Sequence, residues 1–272
     1  MTVSIKHLNN NQNRKDMLKL KIIILHLLLI IVALTNAQTI SIKVMSMNIK
    51  EGGMIADFNA DAFCTFIRQY NPDFISFQEM DNFTNRNGKK DLLIEMAAKL
   101  GMFPYFGNAF SYDSGDFGVA ILSKYPFFNA KTIVSKPTGA REPRSCSWVD
   151  VVLPNKRTVR VAATHLDVAP DDQIRITMLA SINSNMLTNN SFPTLLIGDF
   201  NATPESAVLS YASFKWQDIG AGTGNTIPST GPTIRIDYVL GYPKTWIKKS
   251  YEIICQPQLS DHCFIVAEVE HP

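Results

Sequence analysis

From residue 40 onward, short apolar runs alternate with amphipathic segments, and this alternation restricts the possible fold more than any other feature of the sequence. The apolar runs are short and rich in β-branched residues, which predicts strands, whereas the segments between them have helical periodicity. A chain with this pattern folds as packed layers of sheet and helix. We therefore predict one α/β domain over residues 38–272, with no internal repeat and no low-complexity linker.

The predicted strands are Ile40–Asn48, Phe74–Phe77, Val119–Ser123, Ser147–Leu153, Thr158–His165, Thr194–Gly198, Ile234–Leu240 and Phe264–Glu268. The predicted helices are Asp61–Tyr70, Asp91–Leu100, Asp171–Leu187 and a short one that Thr203 caps and Pro204 begins. The two strands joined by Pro154–Arg157 should form an antiparallel hairpin, so a purely parallel sheet is not expected. A Gly-, Thr- and Ser-rich stretch, Gly220–Pro232, predicts a mobile surface loop.

The N-terminus has the order of features that is typical of a signal peptide. Arg14, Lys15, Lys19 and Lys21 precede the apolar run Ile22–Leu34, and small residues follow in Thr35-Asn36-Ala37. The run has 13 residues, whereas a membrane-spanning helix needs about 20. We expect residues 1–37 to be a signal peptide that is cleaved after Ala37, and the protein to be exported. An uncleaved N-terminal membrane anchor is the alternative, and Met17 is an alternative start.

Removal of residues 1–37 reverses the sign of the net charge. The whole chain carries a formal charge of +2, but residues 1–37 hold five basic residues and one acidic residue. The remainder has 21 basic and 23 acidic residues, a formal charge of −2. The basic character of the full chain therefore gives no indication of nucleic-acid binding.

All four cysteines, Cys64, Cys146, Cys255 and Cys263, lie in the part that is expected to be exported. Their spacing matches no zinc motif, and an even count outside the cytoplasm permits disulfides. Cys64 lies in a predicted amphipathic helix. Buried free thiols and a single disulfide therefore both remain open.

Polar residues stand at the ends of several predicted strands. Asn48 ends the first, Glu79 follows the second, His165 ends the fifth, and Asp199 and Asn201 follow the sixth. If these strand ends meet at one edge, the side chains form one cleft. Residues two apart in extended chain point the same way, so Asp199 and Asn201 should face one side.

Two further polar groups lie near the C-terminal strands. Asp237 interrupts an apolar strand, where a carboxylate requires a partner or a metal ion unless it is exposed. Asp261 and His262 are adjacent, immediately before the last predicted strand.

Taken in order, these short motifs resemble the endonuclease/exonuclease/phosphatase family of DNase I-like proteins across residues 40 to 270. The resemblance is carried by Met47-Asn48, Gln78-Glu79, Gly118–Ser123, Thr164–Asp167, Gly198–Asn201, Ile236–Tyr238 and Ser260–His262. It implies an α/β fold that is a four-layer sandwich of two packed mixed β-sheets flanked by helices. It also implies an active site at one edge of the sandwich.

The resemblance implies a role for each site residue. Glu79 would be the principal ligand of Mg²⁺, with Asn48 and Asp261 completing the site and Mn²⁺ as a substitute; these hard oxygen donors suit such ions. His165, Asn201 and His262 would surround the phosphoryl group. Asp199 would orient or deprotonate the attacking water, and Asp237 and Asp261 would hold the imidazoles.

The implied function is an exported, Mg²⁺-dependent phosphodiesterase or endonuclease, with a phosphate ester, nucleic acid among the candidates, as its substrate. Arg141 and Arg144 are in a segment that resembles one in nucleases of the family, and we expect them to bind substrate. Two alternatives are a sphingomyelinase-type phospholipase C or an inositol or sugar phosphatase, and an inactive exported binding module. A monomer without a stable protein partner is expected.

Overall fold

The computed structural model describes residues 17–26, 39–189 and 192–272. Ile40–His271 forms one unit, and the helical stretch 17–26 belongs to another. Within the described part of the chain, no helix is long and apolar enough to cross a membrane. The predicted cleavage point after Ala37 lies outside the described residues.

Twelve strands form two sheets of six. The strands are β1 (Ile40–Asn48), β2 (Phe74–Asn82), β3 (Phe103–Tyr112), β4 (Gly115–Ser123), β5 (Phe127–Ser135), β6 (Arg144–Val152), β7 (Thr158–His165), β8 (Thr194–Asp199), β9 (Gln217–Asp218), β10 (Asp237–Tyr242), β11 (Ile247–Cys255) and β12 (Cys263–His271). The first sheet has the order β11-β12-β1-β2-β4-β3 and the second the order β5-β6-β7-β8-β10-β9. The predicted hairpin between β6 and β7 is confirmed as antiparallel.

Each sheet contains one parallel pair near its centre, β1 with β2 and β7 with β8, and its other pairs are antiparallel. Parallel neighbours end at the same edge, and an antiparallel neighbour begins where they end. In the first sheet, the ends of β1 and β2 therefore lie beside the start of β12. In the second sheet, the ends of β7 and β8 lie beside the start of β10.

Four helices with polar N-caps connect the strands: α1 (Ala60–Arg68), α2 (Leu92–Leu100), α3 (Asp172–Met186) and α4 (Ala207–Ala212). Their caps are Asn59, Asp91, Asp171 and Ser206, and each accepts a hydrogen bond from a backbone N–H of the first turn. The predicted cap at Thr203 is wrong. The chain turns there, with the Ser206 N–H donating to the Thr203 carbonyl, before Ser206 caps α4.

The apolar side chains pack in three layers. The middle layer lies between the sheets and includes Val44, Val161 and Val239. The second packs α1 and α2 on the first sheet, with Phe63 and Met96 as members, and the third packs α3 and α4 on the second sheet. The four-layer sandwich of two mixed sheets flanked by helices is therefore confirmed.

The strands missing from the sequence prediction are those with half-exposed side chains. They are β3, β5, β9 and β11, and each lies next to an edge of a sheet or at the edge itself. Such strands lack the continuous apolar run that identifies a strand buried on both faces. The buried strands were found, although β2 is longer than predicted because it continues through a bulge between Phe77 and Met80.

The four cysteines form one disulfide and two buried free thiols, so both alternatives left open by the sequence occur. Cys255 and Cys263 face each other across β11 and β12 and form a disulfide. Cys64 and Cys146 are buried free thiols. Cys263 directly follows His262, so the disulfide fixes the backbone beside the predicted site.

Gly198 fixes the distance between β7 and β8 directly before Asp199. A Cβ atom at this position would lie 1.9 Å from the Thr164 carbonyl oxygen of β7, so only glycine fits without separating the strands. Gly198→Ala should lower the free energy of unfolding by about 1–3 kcal/mol, because strand backbones must move apart. Urea unfolding measures the change.

Gly231→Ala is the matched control, because a Cβ atom there has no neighbour within 4 Å. Its effect should stay within about 0.5 kcal/mol. Equal effects of the two substitutions would contradict the close approach of β7 and β8.

Candidate active site

The structure brings the strand-end residues of the sequence prediction together. Asn48 ends β1, Glu79 lies in the bulge of β2, His165 ends β7 and Asp199 ends β8. Asp237 begins β10 and His262 precedes β12. Asp237 and Asp199 are register partners, as are His165 and Asp199. Each of these residues except the half-buried Glu79 is at least nine-tenths buried.

The Asn48 side chain joins the two sheets. Its Nδ2 donates to Glu79 Oε1 at 3.2 Å, within the first sheet, and to Asp199 Oδ2 at 3.1 Å, in the second. Asn48 is 2% exposed. A buried amide with two carboxylate partners fixes both of them, because each hydrogen bond to a charged group is strong in this environment.

Glu79 is held in an unusual backbone conformation. Its φ is 58°, at the point where the β2 register shifts. Its Oε2 accepts a 2.8 Å hydrogen bond from the Glu51 N–H. Glu51 itself has a φ of 48° and is followed by Gly52, where a Cβ atom would lie 2.6 Å from that of Asp81. Such left-handed residues are enriched at functional sites.

Asp199, Asp237 and His262 form a buried ion-pair network. Asp237 Oδ2 lies 2.9 Å from His262 Nδ1, and Asp199 Oδ2 lies 3.8 Å from His262 Nε2. Burial opposes protonation of His262, but Asp237 and Asp199 raise its pKa to about 10. Burial and then Asp237 raise the pKa of Asp199 to about 7. At neutral pH His262 is therefore an imidazolium, and Asp199 can accept a proton.

Two groups of side chains could hold a metal ion. In the first group, the possible ligand atoms of Asp199, Asp237 and His262 all lie within 4.8 Å of one another. Within this group, Asp237 Oδ2 and His262 Nδ1 already form an ion pair at 2.9 Å. The second group is the predicted set Asn48, Glu79 and Asp261, whose side-chain oxygens suit Mg²⁺. The Asn48 Oδ1 accepts a hydrogen bond from the Lys50 N–H at 3.1 Å, and its Nδ2 faces Glu79.

Lys50 lies among the acidic groups on the Glu79 side. Its Nζ is 3.5 Å from Asp261 Oδ2 and 3.5 Å from Glu51 Oε1. Burial lowers the pKa of Lys50, but Glu79, Asp261 and Glu51 together raise it above its usual value. Three carboxylates around one ammonium group leave an excess of negative charge, which favours a divalent cation. The strand-end pattern does not predict Lys50, although this residue lies two positions after Asn48.

His165, Asn201 and Arg144 form the other side of the site. Asn201 Nδ2 lies 3.0 Å from His165 Nε2 and donates to the Leu166 carbonyl at 2.9 Å. Arg144 Nη1 lies 3.2 Å from His165 Nδ1. Burial and then the charge of Arg144 hold the pKa of His165 well below its usual value, so this imidazole is uncharged at neutral pH.

The two arginines of the predicted substrate segment have different surroundings. Arg144 is 7% exposed and forms an ion pair with Glu142 at 2.7 Å. The Arg141 side chain is exposed. Asp167 positions the segment, because its Oδ2 accepts hydrogen bonds from the N–H groups of Arg141 and Glu142. Asp167 follows His165 in the Thr164–Asp167 motif, which is the signal that could have revealed this role.

The resemblance implies that Asp237 and Asp261 hold the imidazole rings of the site. Asp237 contacts His262, as the resemblance implies. Asp261 contacts Lys50 and the Ser260 hydroxyl, and its negative charge contributes to the raised pKa of His262.

The predicted surface loop, Gly220–Pro232, is largely exposed, but its Thr226 and Ser229 side chains are buried against segments that carry site residues. The Thr226 hydroxyl oxygen accepts hydrogen bonds from the Ile236 and Asp237 N–H groups, at 3.2 and 3.3 Å. The Ser229 hydroxyl donates to the Ser260 carbonyl at 2.7 Å. Thr226 and Ser229 are 0% and 6% exposed. This loop therefore holds the backbone segments that carry Asp237 and His262, a role that Gly and Thr content alone cannot reveal.

Ser260 joins the last site segment to the first. Its Oγ donates to the Asn48 carbonyl at 2.6 Å and accepts from the His262 N–H at 3.1 Å. The two ends of the domain sequence are thereby fixed together at the site.

Comparison with known proteins identifies the family of the chain. Residues 45–262 match the model of the endonuclease/exonuclease/phosphatase family. No curated protein sequence matches the chain.

Several solved structures share the fold. One is an endonuclease/exonuclease/phosphatase family protein from Bacteroides thetaiotaomicron, with a TM-score of 0.71 and 17% identity over 86% of this chain and 99% of that one. A mannosyl-6-phosphatase from the same organism has a TM-score of 0.68 and 17% identity over 84% of this chain and 99% of that one. ANGEL2, a 2′,3′-cyclic phosphatase, has a TM-score of 0.65 and 14% identity over 86% of this chain and 96% of that one.

Thr226→Val should weaken the support of Asp237 without changing any charged group. Two buried N–H groups lose their acceptor, which should lower the free energy of unfolding by about 1–3 kcal/mol. Chemical denaturation measures this change, and Thr230→Val, at an exposed position of the same loop, is the control. The control should change stability by less than about 0.5 kcal/mol. An unchanged stability of Thr226→Val would show that the loop does not support the site.

Proposed function

The chain belongs to the endonuclease/exonuclease/phosphatase family, and from this premise we propose that it is a Mg²⁺-dependent hydrolase of phosphate esters. The family fold is that of phosphoester hydrolases. The observation that supports the proposal most strongly is the Asn48 side chain, which holds Glu79 and Asp199 together from different sheets. Glu79, which would bind the metal ion, therefore lies close to Asp199, which would accept a proton. The protonated His262 lies next to Asp199.

Glu79, Asn48 and Asp261 would hold the magnesium ion. Two features of these residues suit Mg²⁺. All three offer side-chain oxygens, and the negative charges of Glu51, Glu79 and Asp261 outnumber the positive charge of Lys50. Bound there, Mg²⁺ would supply positive charge to the phosphoryl and leaving oxygens as negative charge develops on them. Manganese would be accepted as a substitute on the same ligands.

The remaining groups act through protons and hydrogen bonds. Asp199, with its pKa raised to about 7, would orient the attacking water and take its proton. The His262 imidazolium, held by Asp237, would donate to a phosphoryl oxygen and stabilise its charge. Asn201 and His165 would bind further oxygens, and Arg144 would position the His165 ring.

A phosphodiesterase or endonuclease is the leading candidate, because Arg144 stands beside His165 where a phosphate would bind. In that case Arg141, exposed on the same segment, would contact a second phosphate. A phosphatase that acts on small esters is the second candidate. The open pocket beside Glu79 and Arg144 has a volume of only about 250 Å³, which supports a small substrate. The mannosyl-6-phosphatase of similar fold is consistent with this possibility.

We also propose export, with cleavage after Ala37. The proposal rests on the basic, apolar and small-residue order of the N-terminus. The intact mass of the exported protein, which should begin at Gln38, decides between cleavage and an uncleaved anchor.

The function is tested by measuring hydrolysis of a nitrophenyl phosphodiester, a nitrophenyl phosphate monoester, a hexose phosphate, DNA, RNA and sphingomyelin, each with Mg²⁺ and with excess chelator. We expect turnover of at least one ester class with Mg²⁺ and none with chelator. Glu79→Gln should raise the Mg²⁺ concentration for half-maximal activity by about tenfold or more, because it removes an anionic ligand.

Asp199→Asn and His262→Ala should each lower kcat by about 10²–10⁴-fold while the fold remains intact, because both groups act on the reacting atoms. Glu252→Gln is the matched control for Glu79→Gln, because it removes an exposed carboxylate on β11. It should leave the Mg²⁺ concentration for half-maximal activity unchanged. Full activity in chelator, or the same metal titration for Glu79→Gln and wild type, would refute the proposal.

A further inference from the structure

The pocket beside the site has one aromatic wall. It is lined by Glu79 and Arg144 of the site and, on its other side, by Phe110, Tyr112 and Phe117 of the β3–β4 hairpin. A phosphate held at the site would therefore direct one of its ester groups toward these rings. The pocket has a volume of about 250 Å³ and is open to solvent.

The aromatic wall is assembled before any ligand binds. Ring centroids of Phe110, Tyr112 and Phe117 lie 5.5–6.3 Å apart in tilted and edge-on arrangements. The Arg86 guanidinium lies 4.7 Å from the Tyr112 centroid and 5.7 Å from that of Phe117. Tyr112 is 42% exposed, Phe110 is partly exposed and Phe117 is 8% exposed, so Tyr112 is the most exposed of the three aromatic residues.

Arg86 supports this wall and is not free to bind an anion. Its Nε and Nη2 each lie 2.7 Å from an oxygen of the buried Asp81 carboxylate. Its Nη1 lies 3.2 Å from Glu51 Oε2. Thr84 also donates to Asp81, which keeps that carboxylate in place.

The other cations of the pocket are also paired. Arg144 contacts Glu142 at 2.7 Å, and Lys50 lies 3.5 Å from Glu51 and from Asp261. The three cations that line the pocket thus each face a carboxylate. A second phosphate placed inside this pocket, as distinct from one at the exposed Arg141 outside it, would have to displace an existing ion pair, whereas an uncharged group would not.

We propose that this pocket binds the organic group esterified to the phosphate and selects an uncharged ring with an apolar face and polar edges, such as a hexose or a nucleoside. The apolar face of the ring lies on Tyr112, and its polar edge reaches the charged rim. Stacking on an aromatic side chain contributes substantially to the binding of such rings. This inference rests on the proposed function and specifies its substrate class.

Binding to the full chain is measured calorimetrically in Mg²⁺, in an Asp199→Asn background that slows turnover. The probes are glucose 6-phosphate, uridine 5′-monophosphate, ring-free glycerol 3-phosphate and glucose 1,6-bisphosphate. At least one ring monophosphate should bind about fivefold or more tightly than glycerol 3-phosphate, the lower range of stacking on an aromatic side chain. The tighter of the two identifies a sugar or a nucleoside as the source.

Tyr112→Ala should abolish the ring preference, whereas Tyr112→Phe should retain it. Phe103→Ala is the matched control, because Phe103 is similarly exposed but lies at the opposite end of β3. An unchanged preference in Tyr112→Ala, or equal binding of glycerol 3-phosphate and both ring monophosphates, would overturn the inference. Tighter binding of the bisphosphate by tenfold or more would also overturn it.

The two proposals fail in different ways. If wild type hydrolyses no ester of the whole activity panel in Mg²⁺, the phosphodiesters and nucleic acids included, the proposed function fails, while ring-selective binding at Tyr112 would still be measurable. If wild type hydrolyses glycerol 3-phosphate as efficiently as the ring esters, the proposed function holds and the ring selectivity is wrong.

Discussion

The arrangement of the site depends on the hydrogen bonds of one buried amide, that of Asn48. Its nitrogen donates to Glu79 in the first sheet and to Asp199 in the second, so the half-buried carboxylate of one sheet and the buried carboxylate of the other are held close together. Buried carboxylates are stable only when hydrogen bonds or opposite charges compensate them. The amide provides part of this compensation, and the rest comes from His262 on one side and Lys50 on the other.

This requirement explains why so many contacts outside the reacting groups converge here. Ser260 binds the Asn48 carbonyl, Thr226 binds the Asp237 backbone, and the Cys255–Cys263 disulfide fixes the residue after His262. Each contact restricts the backbone of a site residue or of its direct neighbour rather than a charged side chain. The charged side chains of the site therefore keep their relative positions in the folded protein, although water would solvate them better if they were apart.

The sequence was sufficient to predict the central strands and the polar residues at their ends. The apolar run of β8 and the alternation of apolar and polar residues in β1 identify these strands, and a polar site residue at the end of such a segment is unusual enough to be noticed. Edge strands such as β3 have half-exposed side chains and no clear period, so they were missed. As a consequence, the aromatic wall around Tyr112 was not recognised. The Thr226–Asp237 and Ser260–Asn48 contacts depend on tertiary proximity, the latter across 212 residues, and no local pattern indicates them.

The central claim is that Glu79, with Asn48 and Asp261, is the cation site, and that Asp199, Asp237 and His262 form a proton-carrying ion-pair network. The most direct test is the anomalous scattering of Mn²⁺ in crystals of the protein. We expect one anomalous peak in contact with a Glu79 carboxylate oxygen and no peak among Asp199, Asp237 and His262. A peak bound by Asp199, Asp237 and His262, or no peak at saturating Mn²⁺, would contradict the account.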